Sequence, residues 1–335
     1  MNQFATPIAV SLLFVGCWCH ALVAEESTQP LPSWNDNATK QSIVDFVEQA
    51  TTEGSEGFIP PAERIAVFDN DGTLWCEQPA YVQLVFAIDR IKAMAEAHPE
   101  WKNEEPYKSV LEGDMASLKK LGKPGLAKII AATHSGMSVD EFRSIVNEWI
   151  ASARHPETGL LYTEMTYQPM VELLAFLRAN GFKTYIVTGG GVDFVRAWCE
   201  EVYGIPPEQV VGSRGKYKFD QRYGQPVLMK LPQIDLIDDG PGKPVGIQQV
   251  IGRRPVIAGG NSDGDLQMLQ WAANTVGPGM AILIHHTDAT REYAYDRDSL
   301  IGRSDKALDE AEKHGWLIVD MRRDWNKIFP RETLD

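Results

Sequence analysis

The chain has 335 residues and a formal net charge of −14, from 46 acidic and 32 basic side chains. A nucleic-acid partner is not expected, because neutralising phosphates requires clustered Lys and Arg. The length and the nine tryptophans suit one large domain with an insert, or two domains. Four cysteines in a chain of this length do not predict a disulfide framework.

The N-terminal segment is predicted to be a signal peptide over residues 1–24. It contains no Asp, Glu, Lys or Arg, and Ile8–Cys19 form an apolar core that is too short to span a bilayer. Cleavage after Ala24 would yield an exported protein, periplasmic or secreted. Leu13–Cys17 also weakly resembles a lipoprotein signal, so lipid anchoring is a less favoured alternative. No later run is long enough to cross a membrane, and the polar residues 25–40 are predicted to form a loose leader.

The first predicted strand ends in two carboxylates. Ile65–Phe68 is an apolar run that suits a buried strand, and Asp69, Asp71 and Gly72 follow it directly. Strands of open α/β sheets bind ligands beyond their carboxyl ends. Two carboxylates this close repel each other unless a cation or a shared proton offsets their charge. The pattern therefore predicts a metal site or an acid–base site.

A helical segment is predicted between Pro79 and Pro156. Apolar residues recur at helical spacing, and Ser138 with Glu141 has the pattern of a capping box at a helix start. The apolar positions are Tyr81, Leu84, Val85, Ile88 and Ile91, then Leu126, Ile129 and Ile130, then Phe142, Ile145, Val146, Trp149 and Ile150. These stripes are interpreted as the core of an inserted helical domain.

After residue 165, predicted strands and helices alternate, which indicates a parallel, doubly wound sheet. The predicted strands are Lys183–Val187, Pro255–Ala258, Ala281–Ile284 and Trp316–Val319, and the predicted helices are Met170–Leu177, Val192–Tyr203 and Leu266–Ala273. Short β-like runs over residues 209–231 suggest a small hairpin outside the main sheet. Thr188 and the glycines after the second strand could cradle phosphoryl oxygens with their backbone amides.

Four motifs in order resemble those of the haloacid dehalogenase (HAD) superfamily. The run Asp69-Asn-Asp71-Gly-Thr-Leu is similar to the first motif, Thr188 to the second, Lys243 to the third, and Gly260–Asp265 to the fourth. The resemblance implies a Rossmann-like core over residues 25–78 and 157–335, with a helical cap over residues 79–156 like that of phosphoserine phosphatases.

The resemblance also implies roles for individual residues. Asp69 would be the nucleophile that becomes an aspartyl phosphate, and Asp71 would be the general acid and then the base. Lys243 would balance negative charge, and Thr188 would hold phosphoryl oxygens. The residues implied in substrate binding are Thr73, Gly189, Gly190, Glu77 and Gln78.

The fourth motif departs from the usual pattern, because Asn261 stands where many members carry an aspartate that binds magnesium. An amide oxygen can bind a hard cation, although it contributes no charge. The implied magnesium ligands are Asp69, Asp71, Asn261 and Asp265. Asp263 remains an alternative to Asn261.

The function implied is that of an exported, Mg²⁺-dependent phosphatase acting on a small phosphorylated metabolite. A phosphomutase or phosphotransferase of the same fold is one alternative, and a catalytically weak protein that binds a phosphate ligand is another. A dehalogenase or phosphonatase would not need the acid at Asp71. The sequence specifies neither the phosphate ester nor the oligomeric state.

Overall fold

The computed structural model describes residues 30–331. The predicted signal peptide, residues 1–24, lies outside the described residues. The strands are β1 (Ile65–Phe68), β2 (Lys183–Gly191), β3 (Val210–Arg222), β4 (Gln225–Leu236), β5 (Ile257–Gly260), β6 (Met280–Thr287), β7 (Ala294–Tyr295) and β8 (Leu317–Asp320). The α-helices are α1 (Ala38–Thr51), α2 (Val82–Met94), α3 (Tyr107–Glu112), α4 (Met115–His134), α5 (Val139–Ile150), α6 (Gln168–Ala179), α7 (Val192–Arg196), α8 (Cys199–Tyr203), α9 (Gly242–Val250), α10 (Leu266–Ala273), α11 (Lys306–His314) and α12 (Met321–Asp324).

The strands form one sheet in the order β4–β3–β2–β1–β5–β6–β7, with β8 also paired to β6. The strands β3, β2, β1, β5, β6 and β8 run parallel to their neighbours, whereas β4 and β7 are antiparallel additions. The short strand β1 lies between β2 and β5, and all four of its residues are buried. Residues that follow β1, β2 and β5 therefore meet at one edge of the sheet.

The two faces of β1 pack into two different hydrophobic cores. Ala66 and Phe68 contribute to the core that includes residues of α1, α6 and α7. Ile65 and Val67 contribute to the core beneath α9, α10 and α11. Because successive side chains of a strand point to opposite faces, helices cover both sides of the sheet. The predicted α/β class with a doubly wound parallel sheet is confirmed.

The helices α2 to α5 form an insert between β1 and β2, but the predicted separate core is confirmed only in part. Phe142, Val146 and Ile150 of α5 pack into the larger core next to the sheet, and Leu126 is exposed. Ala87, Ile91, Trp101, Val110 and Ile129 form a small core of their own there. The capping box at Ser138 is present, because its hydroxyl accepts from the Glu141 amide and the Glu141 carboxylate accepts from the Ser138 amide. The exact boundaries of the cap at residues 79 and 156 stay a prediction.

The hairpin after β2 differs from the prediction. Instead of short runs outside the main sheet, β3 starts inside the sheet, where Val210–Ser213 pair with β2, and then continues into a long antiparallel pair with β4. The predicted helix Val192–Tyr203 is divided into α7 and α8. Within residues 30–331, none of the helices combines the length and apolarity needed to span a membrane. Cys76 and Cys199 are both buried, and each is a free thiol.

Candidate active site

Asp69 lies directly after β1 and forms hydrogen bonds with residues of β5 and α9. Its backbone amide donates to the carbonyl of Gly259 in β5 at 2.9 Å. The ammonium group of Lys243, at the start of α9, donates to Asp69 Oδ1 at 2.6 Å. Asp69 is only 7% exposed. Burial and the charge of Asp265 raise the pKa of Asp69 well above its ordinary range, and Lys243 opposes that rise.

Asp71 is half-buried and receives a hydrogen bond from the indole of Trp75, whose Nε1 donates to Oδ1 at 2.8 Å. Trp75 is fixed in turn by stacking on Trp198, with ring centroids 4.4 Å apart. Burial raises the pKa of Asp71 to about 6, even though Trp75 and Lys243 act to lower it. A carboxyl group with this pKa can hold and release a proton near neutral pH.

Residues 188–191, the irregular C-terminal end of β2 and here called the glycine loop, lie beside these carboxylates. A Cβ atom placed on Gly190 would be 3.2 Å from Thr188 Oγ1 and 3.9 Å from Asp71 Oδ2. The buried hydroxyl of Thr188 accepts from the Gly190 amide at 3.0 Å, which shapes the turn. Gly189 is exposed, and its carbonyl accepts from the hydroxyl of Ser213 at 2.8 Å. The loop therefore has the location expected of a cradle for a phosphoryl group.

Lys243 joins the first, second and fourth motifs. Besides Asp69, it donates to the carbonyl of Val187 at 2.9 Å and to Asp265 Oδ1 at 2.5 Å. Burial alone would lower the pKa of Lys243, but the attraction of Asp265 and Asp69 outweighs that cost and keeps its pKa above the ordinary value. The ammonium group is therefore charged at physiological pH.

The loop after β5 is organised around Asp265. Asp265 Oδ2 accepts from the backbone amides of Asn261 and Ser262, both at 3.0 Å. Asn261 is 1% exposed and lies among the motif residues: the Thr73 hydroxyl donates to its Oδ1 at 3.3 Å, and its Nδ2 donates to Glu77 Oε1 at 2.7 Å. Asp265 thus holds the loop, while Asn261 contacts residues of the first motif.

Asp263 has a different environment. Its Oδ1 accepts from the backbone amides of Asp305 and Ala307, at 3.0 and 2.9 Å, at the N-terminal end of α11. A carboxylate in this position satisfies amides that a helix end leaves without partners. This engagement favours Asn261 over Asp263 as the cation ligand.

The structure brings most of the predicted site residues together at the sheet edge, whereas the side chains of Glu77 and Gln78 contact other parts of the protein. Glu77 is 2% exposed and contacts Asn261. Gln78 is half-buried, and its side-chain amide donates to the carbonyl of Ile301 at 3.3 Å. Substrate contact by either residue stays a prediction. The residues that meet at the sheet edge are Asp69, Asp71, Thr73, Thr188, Gly189, Gly190, Lys243, Asn261 and Asp265.

Three further residues form hydrogen bonds with the site, although they lie outside the four motifs. Gln83 of α2 accepts from the Gly191 amide at 2.7 Å. The hydroxyl of Tyr295 donates to Glu77 at 2.9 Å. His286, 3% exposed, donates from Nε2 to the carbonyl of Gly72 at 2.7 Å. Of these three, only the position of His286 could be inferred from the sequence, because it follows the predicted strand 281–284. The contacts of the other two depend on packing between segments that are distant in the sequence.

The donor set suits a hard cation. Carboxylate and amide oxygens are the ligands that magnesium prefers. Asp69, Asp71 and Asp265 together carry three potential negative charges against the one positive charge of Lys243. Residues 30–331 hold no group of three or more His, Cys, Asp or Glu side chains arranged to bind a metal, so a cation at this edge would also need the amide oxygen of Asn261 or backbone oxygens.

Comparison with known proteins defines the class. A family model described as haloacid dehalogenase-like hydrolase matches residues 66–270, which is more than half of the chain. The chain therefore belongs to the haloacid dehalogenase-like hydrolase family. The match includes the predicted site residues from Asp69 to Asp265. The family membership that the four motifs predict is therefore confirmed.

Several solved structures are similar to this chain. A protein of unknown function from Anaerococcus prevotii is 16% identical, with a TM-score of 0.48 over 83% of this chain and 90% of its own. One from Bordetella pertussis is 16% identical, with a TM-score of 0.47 over 77% and 99%. A probable phosphoserine phosphatase from Vibrio cholerae is 15% identical, with a TM-score of 0.37 over 71% and 61%. No curated protein matches the chain.

Proposed function

We propose that the protein is a phosphatase that hydrolyses a small phosphate monoester through an aspartyl phosphate on Asp69. The observation that carries this proposal is that two carboxyl groups with different hydrogen-bond partners lie at one sheet edge. Asp69 is buried and accepts a hydrogen bond from Lys243 at 2.6 Å, whereas Asp71 accepts one from the indole of Trp75 at 2.8 Å. Burial raises the pKa of both carboxyl groups, that of Asp71 to about 6. Neighbouring carboxyl groups with different environments can divide nucleophilic and acid–base work.

In the first step, a carboxylate oxygen of Asp69 attacks phosphorus in line, and the bond from phosphorus to the ester oxygen breaks. Lys243 donates to Oδ1, so Oδ2 is the oxygen proposed to attack. Asp71 gives its proton to the departing oxygen. Thr188 and the amides of the following glycines bind the phosphoryl oxygens, where donors fixed in advance stabilise developing charge.

In the second step, Asp71 takes a proton from water, and the water oxygen attacks phosphorus. The bond between phosphorus and Asp69 breaks, which releases inorganic phosphate and restores both carboxyl groups. A proton moves out to the leaving group and back from water, so one group with a pKa of about 6 can serve both steps at neutral pH.

We propose that the enzyme uses Mg²⁺, held by Asp69, Asp71 and Asn261, with Asp265 fixing the loop that carries Asn261. When bound, the ion would offset and orient the charge of the transferred phosphoryl group. The excess of carboxylates over Lys243 supports this proposal, as does the engagement of both Asp265 carboxylate oxygens by Lys243, Asn261 and Ser262.

We also propose that the substrate is a small phosphorylated metabolite encountered outside the cytoplasm. Residues 1–24 support export because they carry no charged side chain and contain a short apolar core. The helical insert between β1 and β2 supports a small substrate, because Gln83 of α2 directly contacts the glycine loop.

The test is phosphate release from p-nitrophenyl phosphate by the purified protein, with Mg²⁺ and with EDTA. We expect release that requires Mg²⁺ and disappears in Asp69→Asn, while the circular dichroism of the variant stays unchanged. Phosphate release by a folded Asp69→Asn variant would refute the assignment of Asp69 as the nucleophile. A folded parent protein that releases no phosphate from this or any other phosphate ester would instead favour the weak binding protein.

A further inference from the structure

Glu77 is a buried acid that has no role in the proposed reaction. Its Oε1 accepts two hydrogen bonds, from Asn261 Nδ2 at 2.7 Å and from the hydroxyl of Tyr295 at 2.9 Å. The residue is 2% exposed, so its carboxyl group is enclosed by protein. Asn261, its partner, is 1% exposed. Water is therefore not available to replace these contacts.

The contact with Glu77 determines the direction of the Asn261 side chain. An asparagine amide has one end that only donates and one that only accepts. A carboxyl oxygen that already accepts from Tyr295 must also accept from Asn261, so the NH₂ end faces Glu77. The Thr73 hydroxyl donates to Asn261 Oδ1 at 3.3 Å, which favours the same orientation. The amide oxygen is thereby directed away from Glu77.

We propose that Glu77 is a positioning residue that fixes Asn261 so that its oxygen, and not its NH₂ group, is presented to the cation. This inference rests on the proposed magnesium site. An aspartate ligand presents oxygen in either orientation, whereas an asparagine does so in only one. Groups that orient metal ligands from behind commonly change metal affinity when they are replaced. Glu77 therefore explains how a neutral amide can occupy this position.

The backbone around Glu77 is built to admit its carboxyl group. Gly72 has φ of 72° and Gly302 has φ of 66°, values that favour glycine. A Cβ atom on either residue would collide with Glu77 Oε1, and one on Gly72 would also collide with the Asn261 amide. Two glycines from distant parts of the chain thus leave space for the same oxygen atom. The two glycines therefore accommodate the end of a side chain as long as glutamate at residue 77.

The test measures Mg²⁺ binding directly by calorimetric titration of the full chain. In Glu77→Gln, two amides face each other and either can reverse, so we expect Mg²⁺ affinity to fall about 10- to 100-fold. Asn261→Asp alone places two carboxyl groups in contact, so we expect no gain over the parent. When both substitutions are combined, the new amide at position 77 can donate to the new carboxylate at position 261, and we expect affinity at least equal to that of the parent.

Glu157→Gln is the matched control, because Glu157 also accepts from a tyrosine, Tyr293, at 2.7 Å on the exposed surface.

The outcomes separate this inference from the proposed function. Equal Mg²⁺ affinity in Glu77→Gln and the parent overturns the positioning role and leaves the phosphatase proposal intact. A parent protein that binds no Mg²⁺ overturns the proposed metal site, and the role of Glu77 with it. If Glu77→Gln does not fold, the double variant decides: Mg²⁺ affinity at least equal to that of the parent supports the positioning role, and a lower affinity overturns it.

Discussion

At the scale of single residues, the ammonium group of Lys243 has all three of its protons committed. It donates to Asp69, to Asp265 and to the carbonyl of Val187, each within 2.9 Å. Lys243 is 2% exposed, so the carboxylates gain little compensation from water. Removing one partner of a buried ion pair leaves an uncompensated charge, which costs far more than the net contribution of the pair itself.

We therefore expect Lys243→Met to lower the free energy of unfolding by about 3–5 kcal/mol and to abolish phosphate release. Urea unfolding measures the first effect. Lys92→Met is the matched control, because the Lys92 side chain is 55% exposed. A loss in Lys243→Met no greater than that of the control would show that the carboxylates are compensated in another way.

Asp238 is a second residue whose charge bears on stability. It is fully buried, and neither of its carboxyl oxygens has a hydrogen-bond partner within residues 30–331. Burial raises the pKa of Asp238 to about 7, against the opposing attraction of Lys243 and Arg214. The pKa of an aspartate in the unfolded chain is about 3.9. Between about pH 4 and pH 7 the native state therefore binds more protons than the unfolded state, and stability falls as the pH rises.

Asp238→Asn should remove this pH dependence. We expect the variant to be more stable than the parent at about pH 8, by on the order of 2–4 kcal/mol, and the difference to shrink towards about pH 4. Urea unfolding of both proteins across this range measures the effect, with the exposed neighbour Asp239→Asn as the control. A constant difference at every pH would contradict the raised pKa of Asp238.

At the scale of elements, the inserted helices contact the glycine loop through Gln83. Its Nε2 donates to His134 Nε2 at 2.9 Å, and its Oε1 accepts from the Gly191 amide. Burial, with the charges of Lys230 and Arg90, lowers the pKa of His134 to about 3, so the ring stays neutral and can accept. His134 thus sets which end of Gln83 faces the loop.

We expect Gln83→Leu to lower kcat/KM for p-nitrophenyl phosphate by about 10- to 100-fold, because small displacements of groups that hold the substrate are costly. We also expect the free energy of unfolding to fall by about 1–3 kcal/mol, because the buried His134 ring and the Gly191 amide lose their hydrogen-bond partner. Lys92→Leu, on the same helix and exposed, is the control. Unchanged kinetics in Gln83→Leu would show that the glycine loop keeps its conformation without the insert.

The elements also show what a single sequence can predict. The strands β1 and β2 and the capping box at Ser138 follow from local patterns, and so does the meeting of Asp69 with Thr188 at one sheet edge. The length of β3 does not, because its outer half is exposed and is held by pairing with β4 and not by burial. The hydrogen bonds of Gln83 and Tyr295 could not be predicted either, since they join segments far apart in the sequence.

At the scale of the whole molecule, the two ends of the described chain pack together. Sequence analysis predicts a loose leader over residues 25–40, yet Trp34 is 1% exposed and its Nε1 donates to the carbonyl of Pro169 at 2.9 Å. The Trp34 ring meets Trp325 edge to face, with centroids 5.8 Å apart, and the Asn35 amide donates to the carbonyl of Asp324 at 2.8 Å. Composition could not predict this packing, because polar residues surround one deeply buried tryptophan.

This packing limits where an exported form of the protein can begin. Losing a buried tryptophan costs about 3–5 kcal/mol, which is a large part of the roughly 5–15 kcal/mol that typically stabilises a folded domain. Leu31 is also buried, at 2% exposed. If the chain is exported as proposed, we therefore expect cleavage before Leu31, a range that includes the predicted cleavage after Ala24. We expect intact-mass analysis of the exported protein to give a first residue between 25 and 31; a mature form that starts after Trp34 and still unfolds at the same temperature would show that the N-terminal segment is dispensable.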